Sequence, residues 1–288
     1  MQHFCIITNG DKNDNAGKVQ HIRRFLTERG CSCLVLENQL WCSEGIRHFT
    51  NVEQIPEETE CAIVLGGDGT IIQAAIDLVH RDLPILGINT GNLGFLTEVE
   101  ENRMDEGLNR LIADDFRVES RMMLKEQKMF RRPESASSCY ALNDMVISKR
   151  GDCRLITVRV LVNDKLADVY RADGLIVSTP TGSTGYNLSA GGPVMSPNTH
   201  AMVVTPICAH SLNKRSLVLD AADKITLQIG QTKEVGVDKA VFTVDGRNVG
   251  NLTMGDELVI QVPEADTKLV KLADIGFFER MRGKLNGD

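Results

Sequence analysis

Residues 61–75 read CAIVLGGDGTIIQAA. Five apolar residues end in Gly66, Gly67, Asp68 and Gly69, and an apolar helical stripe follows in TIIQAAIDLVHRD. A buried strand that breaks into glycines and opens a helix is a phosphate-binding arrangement. Glycine has no Cβ, so backbone N–H groups can approach an anion closely, and the helix start adds partial positive charge. Gly66, Gly67, Gly69 and Thr70 form the candidate phosphate loop. Asp68 is out of place in a passive turn, where Asn or Ser would serve, and its charge repels a phosphate. Two uses remain for it: accepting a proton from an attacking hydroxyl, or holding Mg²⁺ against phosphates. The spacing matches neither Gly-x-x-x-x-Gly-Lys-Ser/Thr nor Gly-x-Gly-x-x-Gly.

Working outward, strands and helices alternate. HFCIIT, CSCLVLE, CAIVLGG and LPILGIN read as strands. AGKVQHIRRFLTERG reads as a helix, with Val19, Ile22, Phe25 and Leu26 at helical spacing and Gly30 as its stop. This alternation predicts an α/β, Rossmann-like N-terminal domain with a parallel sheet over residues 1–116. From residue 117 the pattern turns strand-rich, with turn signals such as Val-Asn-Asp, Val-Asp-Gly and Met-Gly-Asp, which predicts a β-rich, sandwich-like domain over 117–262. The tail, 263–288, contains DIGFFERMRGKL and is expected to form a short helix that buries Phe277 and Phe278 and packs back on the first domain. RRPESASSCY, 131–140, reads as a mobile hairpin connection, and Trp41 as a packing residue.

A second chemical cluster is RADGLIVSTPTGSTGYNLSAGGPVMSP, 171–197. It opens as a strand and becomes a run of Thr, Ser, Gly and Pro that cannot build an apolar core. Its hydroxyls offer donors and acceptors, and Tyr186 offers a flat ring on which a base can stack.

Gly-Gly-Asp-Gly-Thr resembles the signature shared by NAD kinases, diacylglycerol and sphingosine kinases and, more loosely, 6-phosphofructokinases. Residues 171–197 choose among them, because that stretch is similar to the second NAD kinase signature. YALNDMVISKRG at 140–151 and VTPICAHSL at 204–212 resemble two further elements of the same family, in the same order. The resemblance implies transfer of the γ-phosphoryl group of ATP to the 2′-hydroxyl of the adenosine ribose of NAD, giving NADP. It implies that Asp68 is the proton acceptor, with Gly69 beside it against the substrate. It places Asn143, Asp144, Arg154, Arg171, Asp173, Thr184, Gly185, Tyr186, Asn187, Leu188, Ser189 and Arg247 at NAD. It further implies Mg²⁺ or another divalent metal arriving with ATP, no tightly bound prosthetic group, and a homodimer or homotetramer. The chain departs from the family at Asp144, where Glu is commoner, at Gly185 (Ala), at Gln73 (Arg or Lys), at Ala209 (Pro) and at Arg247 (Gln). His210 reads as a strand-end histidine that the resemblance places near NAD or at a subunit contact. Two alternatives to the kinase stand beside it. One is a lipid or sugar kinase with the same loop, which leaves 171–197 unexplained. The other is a non-catalytic NAD(P) sensor, which gains nothing from the charge of Asp68.

Composition is ordinary for a globular protein, 42% hydrophobic and 25% charged. The net charge of −7 carries no basic block, so neither a nucleic acid nor a membrane surface is an expected partner. MQHFCIITNGDKN lacks the basic start and apolar stretch of a signal peptide, so a cytoplasmic location is expected. The eight cysteines are scattered without zinc spacing and read as reduced, mostly buried thiols, and no protein-held metal site is expected.

Overall fold

The computed structural model describes residues 1–9, 15–38, 41–43, 46–91, 94–129, 138–151, 155–211, 213–230, 240–272 and 276–286. The hairpin expected at 131–140, apart from its last three residues, and the side chain of Trp41 lie outside the described residues. The chain divides into two compact units, Met1–Arg121 with Ala265–Asp288, and Met122–Glu264.

The first unit begins with β1 (His3–Asn9), α1 (Ala16–Thr27), β2 (Ser32–Asn38) and a small hairpin, β3 (Trp41–Ser43) and β4 (Ile46–His48). β5 (Cys61–Leu65), α2 (Asp68–Asp77), β6 (Ile85–Asn89), the short β7 (Val99–Glu100), α3 (Met104–Ile112) and β8 (Arg117–Arg121) follow. β5 and β6 are buried at every position, as unbroken apolar runs in a sheet covered on both faces must be. α1 buries Ile22, Phe25 and Leu26 and ends where Gly30 takes φ +77°, which lets Cys31 N–H reach the Leu26 carbonyl at 3.0 Å. α3 buries Met104, Leu108 and Leu111 against the same core as Ile6, Ile63, Leu65 and Leu86. Each such side chain contributes about 1.5–3 kcal/mol on burial.

The second unit contains β9 (Leu124–Met129), β10 (Tyr140–Ala141), β11 (Asp144–Lys149), β12 (Ile156–Val162), β13 (Lys165–Ala172), β14 (Gly174–Ser178) and α4 (Tyr186–Ser189). It continues with β15 (Ala201–Ile207), β16 (Leu217–Asp220), β17 (Ile225–Ile229), β18 (Ala240–Val244), β19 (Arg247–Leu252) and β20 (Glu257–Gln261). These strands form two antiparallel sheets, ordered β10-β9-β20-β17-β12-β13 and β16-β15-β14-β11-β18-β19. In β12 the side chains alternate, with Ile156, Val158 and Val160 buried and Arg159 exposed between them. β14, interior to its sheet, is buried at every position.

The chain then returns to the first unit as β21 (Thr267–Lys271) and α5 (Phe277–Asn286). β21 extends the first sheet to β2-β1-β5-β6-β21-β8, with β7 beside β6. β21 runs parallel to β6, whereas β8 runs antiparallel to β21, so the sheet is mixed and largely parallel rather than wholly parallel. Strand β8, in the stretch expected to open the β-rich domain, therefore lies in this sheet. The expectation that Phe277 and Phe278 are both buried fails: Phe277 is half-buried and Phe278 is 61% exposed. Arg280 of α5 turns inward, and a position two residues away on a helix points to nearly the opposite side. Among the described residues no helix is long and apolar enough to cross a membrane. Burial pushes the Cys5 thiol up to about 12, as expected of an inert core cysteine, while Cys208 is exposed.

Arg280 belongs to a buried charge cluster. The Glu98 side chain is 0% exposed and meets Arg280 at 2.6 Å and Lys271 at 3.1 Å, while Leu272 N–H donates to its other oxygen at 3.0 Å. Removing the shared Glu98 anion strands two cations in low dielectric. Glu98→Gln is expected to lower unfolding free energy by about 3–5 kcal/mol, read as a fall in the urea midpoint at unchanged slope.

Candidate active site

The first unit builds its chemistry where β5 ends. Gly67 is the N-cap of α2 and Asp68 its first residue. Gly66 N–H donates to the Ile88 carbonyl at 3.0 Å, tying the glycine turn to the end of β6. Gly66 is required by space, because a Cβ there would stand 2.3 Å from the Thr70 hydroxyl oxygen. The Thr70 side chain is thus folded back over the turn, and the amides of 67–70 open the helix.

The Asp68 carboxylate is held from the next loop. Phe95 N–H donates to Oδ2 at 2.8 Å, and Leu96 and Thr97 N–H donate to Oδ1 at 3.0 and 3.4 Å. Gly94 N–H donates to the Thr97 hydroxyl at 2.9 Å, closing that loop on itself. A Cβ on Gly94 would lie 1.6 Å from Asp68 Oδ1, so only glycine lets the loop reach the carboxylate. The sequence reading missed residues 94–97. The signal was there, since GNLGFLT places two glycines just beyond the apolar strand ILGIN.

The second unit joins three separate stretches at one place. Asp245, in the β18–β19 turn, accepts from Leu142 N–H at 2.8 Å and from Asn143 and Asp144 N–H, each at 2.9 Å. Its own N–H donates to the Asp144 carbonyl at 2.9 Å. Thr179 donates its hydroxyl to the Leu142 carbonyl at 2.6 Å and its N–H to the Asn143 carbonyl at 2.9 Å. Gly182 packs on the same turn so closely that a Cβ would meet the Asn143 carbonyl oxygen at 2.2 Å. Asn143 and Asp144 are therefore fixed through their backbone by Asp245 and by the Thr-Pro-Thr-Gly loop. Asp144 is only 7% exposed; burial and the neighbouring Asp245 charge push its carboxyl up to about 7. Burial also raises Asp245, opposed by the three N–H groups and by Arg247.

The residues predicted from 184–189 differ in what they present. Tyr186 is 47% exposed and Gly185 and Ser189 are exposed, while Thr184 and Leu188 are half-buried. Asn187 is fully buried. It donates to the Ser183 and Pro193 carbonyls at 3.1 and 3.0 Å and accepts from the Thr205 hydroxyl at 2.7 Å. Its side chain shapes the loop from within. Asp173 is ion-paired to Lys149 at 2.6 Å. Arg171 is exposed, and its carbonyl accepts from His210 N–H at 2.9 Å. Arg247 is half-buried at the start of β19, and Arg154 lies outside the described residues. Gln73, in α2, keeps a buried side-chain oxygen with no partner among the described residues.

The sequence matches the ATP-NAD kinase N-terminal domain over residues 4–116 and the ATP-NAD kinase C-terminal domain over 142–272. It is 44% identical over 286 residues to an NAD kinase of Lachnoclostridium phytofermentans, covering 99% of both chains. An NAD kinase of Moorella thermoacetica is 41% identical over 289 residues, 99% of this chain and 89% of that one. Two solved structures share the fold. A yeast NADH kinase complexed with NADH has a TM-score of 0.86 at 23% identity, over 100% of this chain and 88% of the other. An Archaeoglobus fulgidus NAD kinase in complex with ATP has a TM-score of 0.76 at 24% identity over the whole of both chains. With both units matched and full-length relatives well above 30% identity, the chain belongs to the ATP-NAD kinase family.

Proposed function

We propose that the protein transfers the γ-phosphoryl group of MgATP to the 2′-hydroxyl of the adenosine ribose of NAD, giving NADP and ADP, with Asp68 as the proton acceptor. The observation that carries this reading is the Asp68 carboxylate, set at the start of α2 behind two glycines and oriented by three backbone amides. A carboxylate offers about four lone-pair positions. Three face the 95–97 amides, which leaves one for the hydroxyl of a substrate. A sugar hydroxyl is a poor nucleophile until its proton has somewhere to go, and a fixed acceptor supplies that. Phosphoryl transfer otherwise needs positioning and charge neutralisation, to which the start of α2 at Gly67 and Gly69 contributes, while the Gly66 and Thr70 amides hold the turn itself through the Ile88 and Gly67 carbonyls. The metal comes with the ATP phosphates as part of the substrate.

For the second unit we assign NAD binding to Asn143, Asp144, Arg154, Arg171, Asp173, Arg247 and the 184–189 segment. The exposed Tyr186 ring offers a stacking face, and Gly185 permits close backbone approach. Asn187 serves this segment from inside. The working protein is a cytoplasmic homodimer or homotetramer in this proposal, which sedimentation at assay concentration checks.

Two outcomes are expected. The purified protein with NAD, ATP and Mg²⁺ produces NADP, measured with an NADP-specific dehydrogenase. Asp68→Asn lowers kcat by roughly two to four decades, because its NH₂ would face amide donors and lose orientation as well as basicity. Near-wild-type kcat in that variant would remove Asp68 from the role. The second outcome concerns pH. A carboxyl raised to about 7 is ionised above that pH and neutral below it. A ribose hydroxyl donates more strongly to a carboxylate than to the neutral acid. KM for NAD should therefore be about three- to tenfold higher at pH 6 than at pH 8, while Asp144→Asn, which cannot ionise, flattens that dependence.

A further inference from the structure

The loop that orients Asp68 is itself held from the far end of the chain. Arg280 of α5 donates one nitrogen to the Thr97 carbonyl at 2.8 Å and the other to the Glu98 carboxylate at 2.6 Å. Thr97 is fully buried, and its own N–H and those of the two residues before it are the donors to Asp68. Glu98 N–H donates to the Gly87 carbonyl at 2.9 Å, so the loop is anchored to β6 just beyond Thr97. The Arg280 guanidinium, only 11% exposed, grips both the last carbonyl of the loop and the carboxylate that follows it. A planar fork that makes two bonds at once fixes the direction of the peptide between them, which a point charge cannot do.

We propose that Arg280 is a positioning residue for the reaction: through Thr97 and Glu98 it sets the 95–97 amides, and through them the aim of the Asp68 carboxylate. This rests on the reading of Asp68 as proton acceptor. Arg280 is far from Asp68 in sequence and touches no atom of it in this arrangement. It acts on the reaction through two links, the Thr97–Glu98 peptide and the three N–H groups. Lys271 and Leu272 N–H remain on Glu98 when Arg280 is removed, so the buried carboxylate keeps partners and the fold survives the substitution.

The test compares wild type, Arg280→Met, Arg280→Lys and Asp68→Asn by steady-state kinetics well below their melting points, with rates referred to folded protein. Hydrogen exchange of a peptide spanning 95–97 is followed in parallel, without substrates. Arg280→Met is expected to lower kcat about ten- to a hundredfold, the scale of a small misplacement of a reacting group, with KM for NAD and ATP within about twofold. Arg280→Lys, which can hold one of the two acceptors at a time, recovers part of kcat. Exchange at 95–97 speeds up in Arg280→Met while that of β5 stays slow. Unchanged exchange at 95–97, or an unchanged kcat in Arg280→Met beside an inactive Asp68→Asn, overturns the proposal. So does a loss of activity that only follows the fraction unfolded or appears only in KM. Wild-type kcat in Asp68→Asn instead overturns the reading of Asp68, and this proposal with it.

Discussion

An aspartate that gathers three consecutive backbone N–H groups is the constraint on which both units depend. Asp68 takes the amides of Phe95, Leu96 and Thr97. Asp245 takes those of Leu142, Asn143 and Asp144. In each case the carboxylate sits at a turn after a strand and fixes a loop remote in sequence. The physical logic is the same. A loop without secondary structure leaves its amides unpaired, and a carboxylate satisfies several at once with charge-assisted bonds. An asparagine would offer one oxygen and a competing donor. The charge suits the geometry before any chemistry is asked of it.

The two clasps differ in what they leave over. Asp68 stands half-buried at the start of a helix, where backbone polarity favours a negative charge and a lone pair remains accessible. Asp245 is half-buried too, but it sits in a hairpin turn with Arg247 close by, and its bonds go to the turn that carries Asn143 and Asp144. Glycine makes both possible. Gly94 admits Asp68 to its loop and Gly182 admits the Asn143 carbonyl to the Thr-Pro-Thr-Gly loop, each at distances no side chain allows.

Much of this was legible from residues alone. The strand, glycine turn and helix at 61–77 follow from an apolar run, three glycines and a renewed stripe, and the structure has them there. The helix stop at Gly30 followed from glycine chemistry. What local pattern could not show was which loops meet. Phe95, Leu96 and Thr97 act through backbone N–H groups, which every residue but proline possesses, so their identity carries no signal; only Gly94 could. Asp245 and Gly246 read as a hairpin turn and are one, with φ +45° and +75°, but the clasp on residues 142–144 spans two strands that only the tertiary fold brings together. The mixed edge of the first sheet has the same origin. β21 pairs with β6 and β8 after the chain has built an entire second unit, and nothing in either strand's composition announces its partner. Phe278 misled because an aromatic pair suggests burial, whereas the buried Glu98 carboxylate draws Arg280 to the inner side of α5.

The second clasp also bears on the carboxyl beside it, that of Asp144. Asp144 follows directly on two residues whose amides Asp245 holds, and its own amide is the third. The backbone bond that fixes Asp144 thus brings a second carboxylate beside it in a buried place. Three donors and Arg247 support the charge on Asp245. Burial and the Asp245 charge push the Asp144 carboxyl up to about 7, and burial raises Asp245 as well. The backbone clasp thus also sets the surroundings that raise the Asp144 carboxyl.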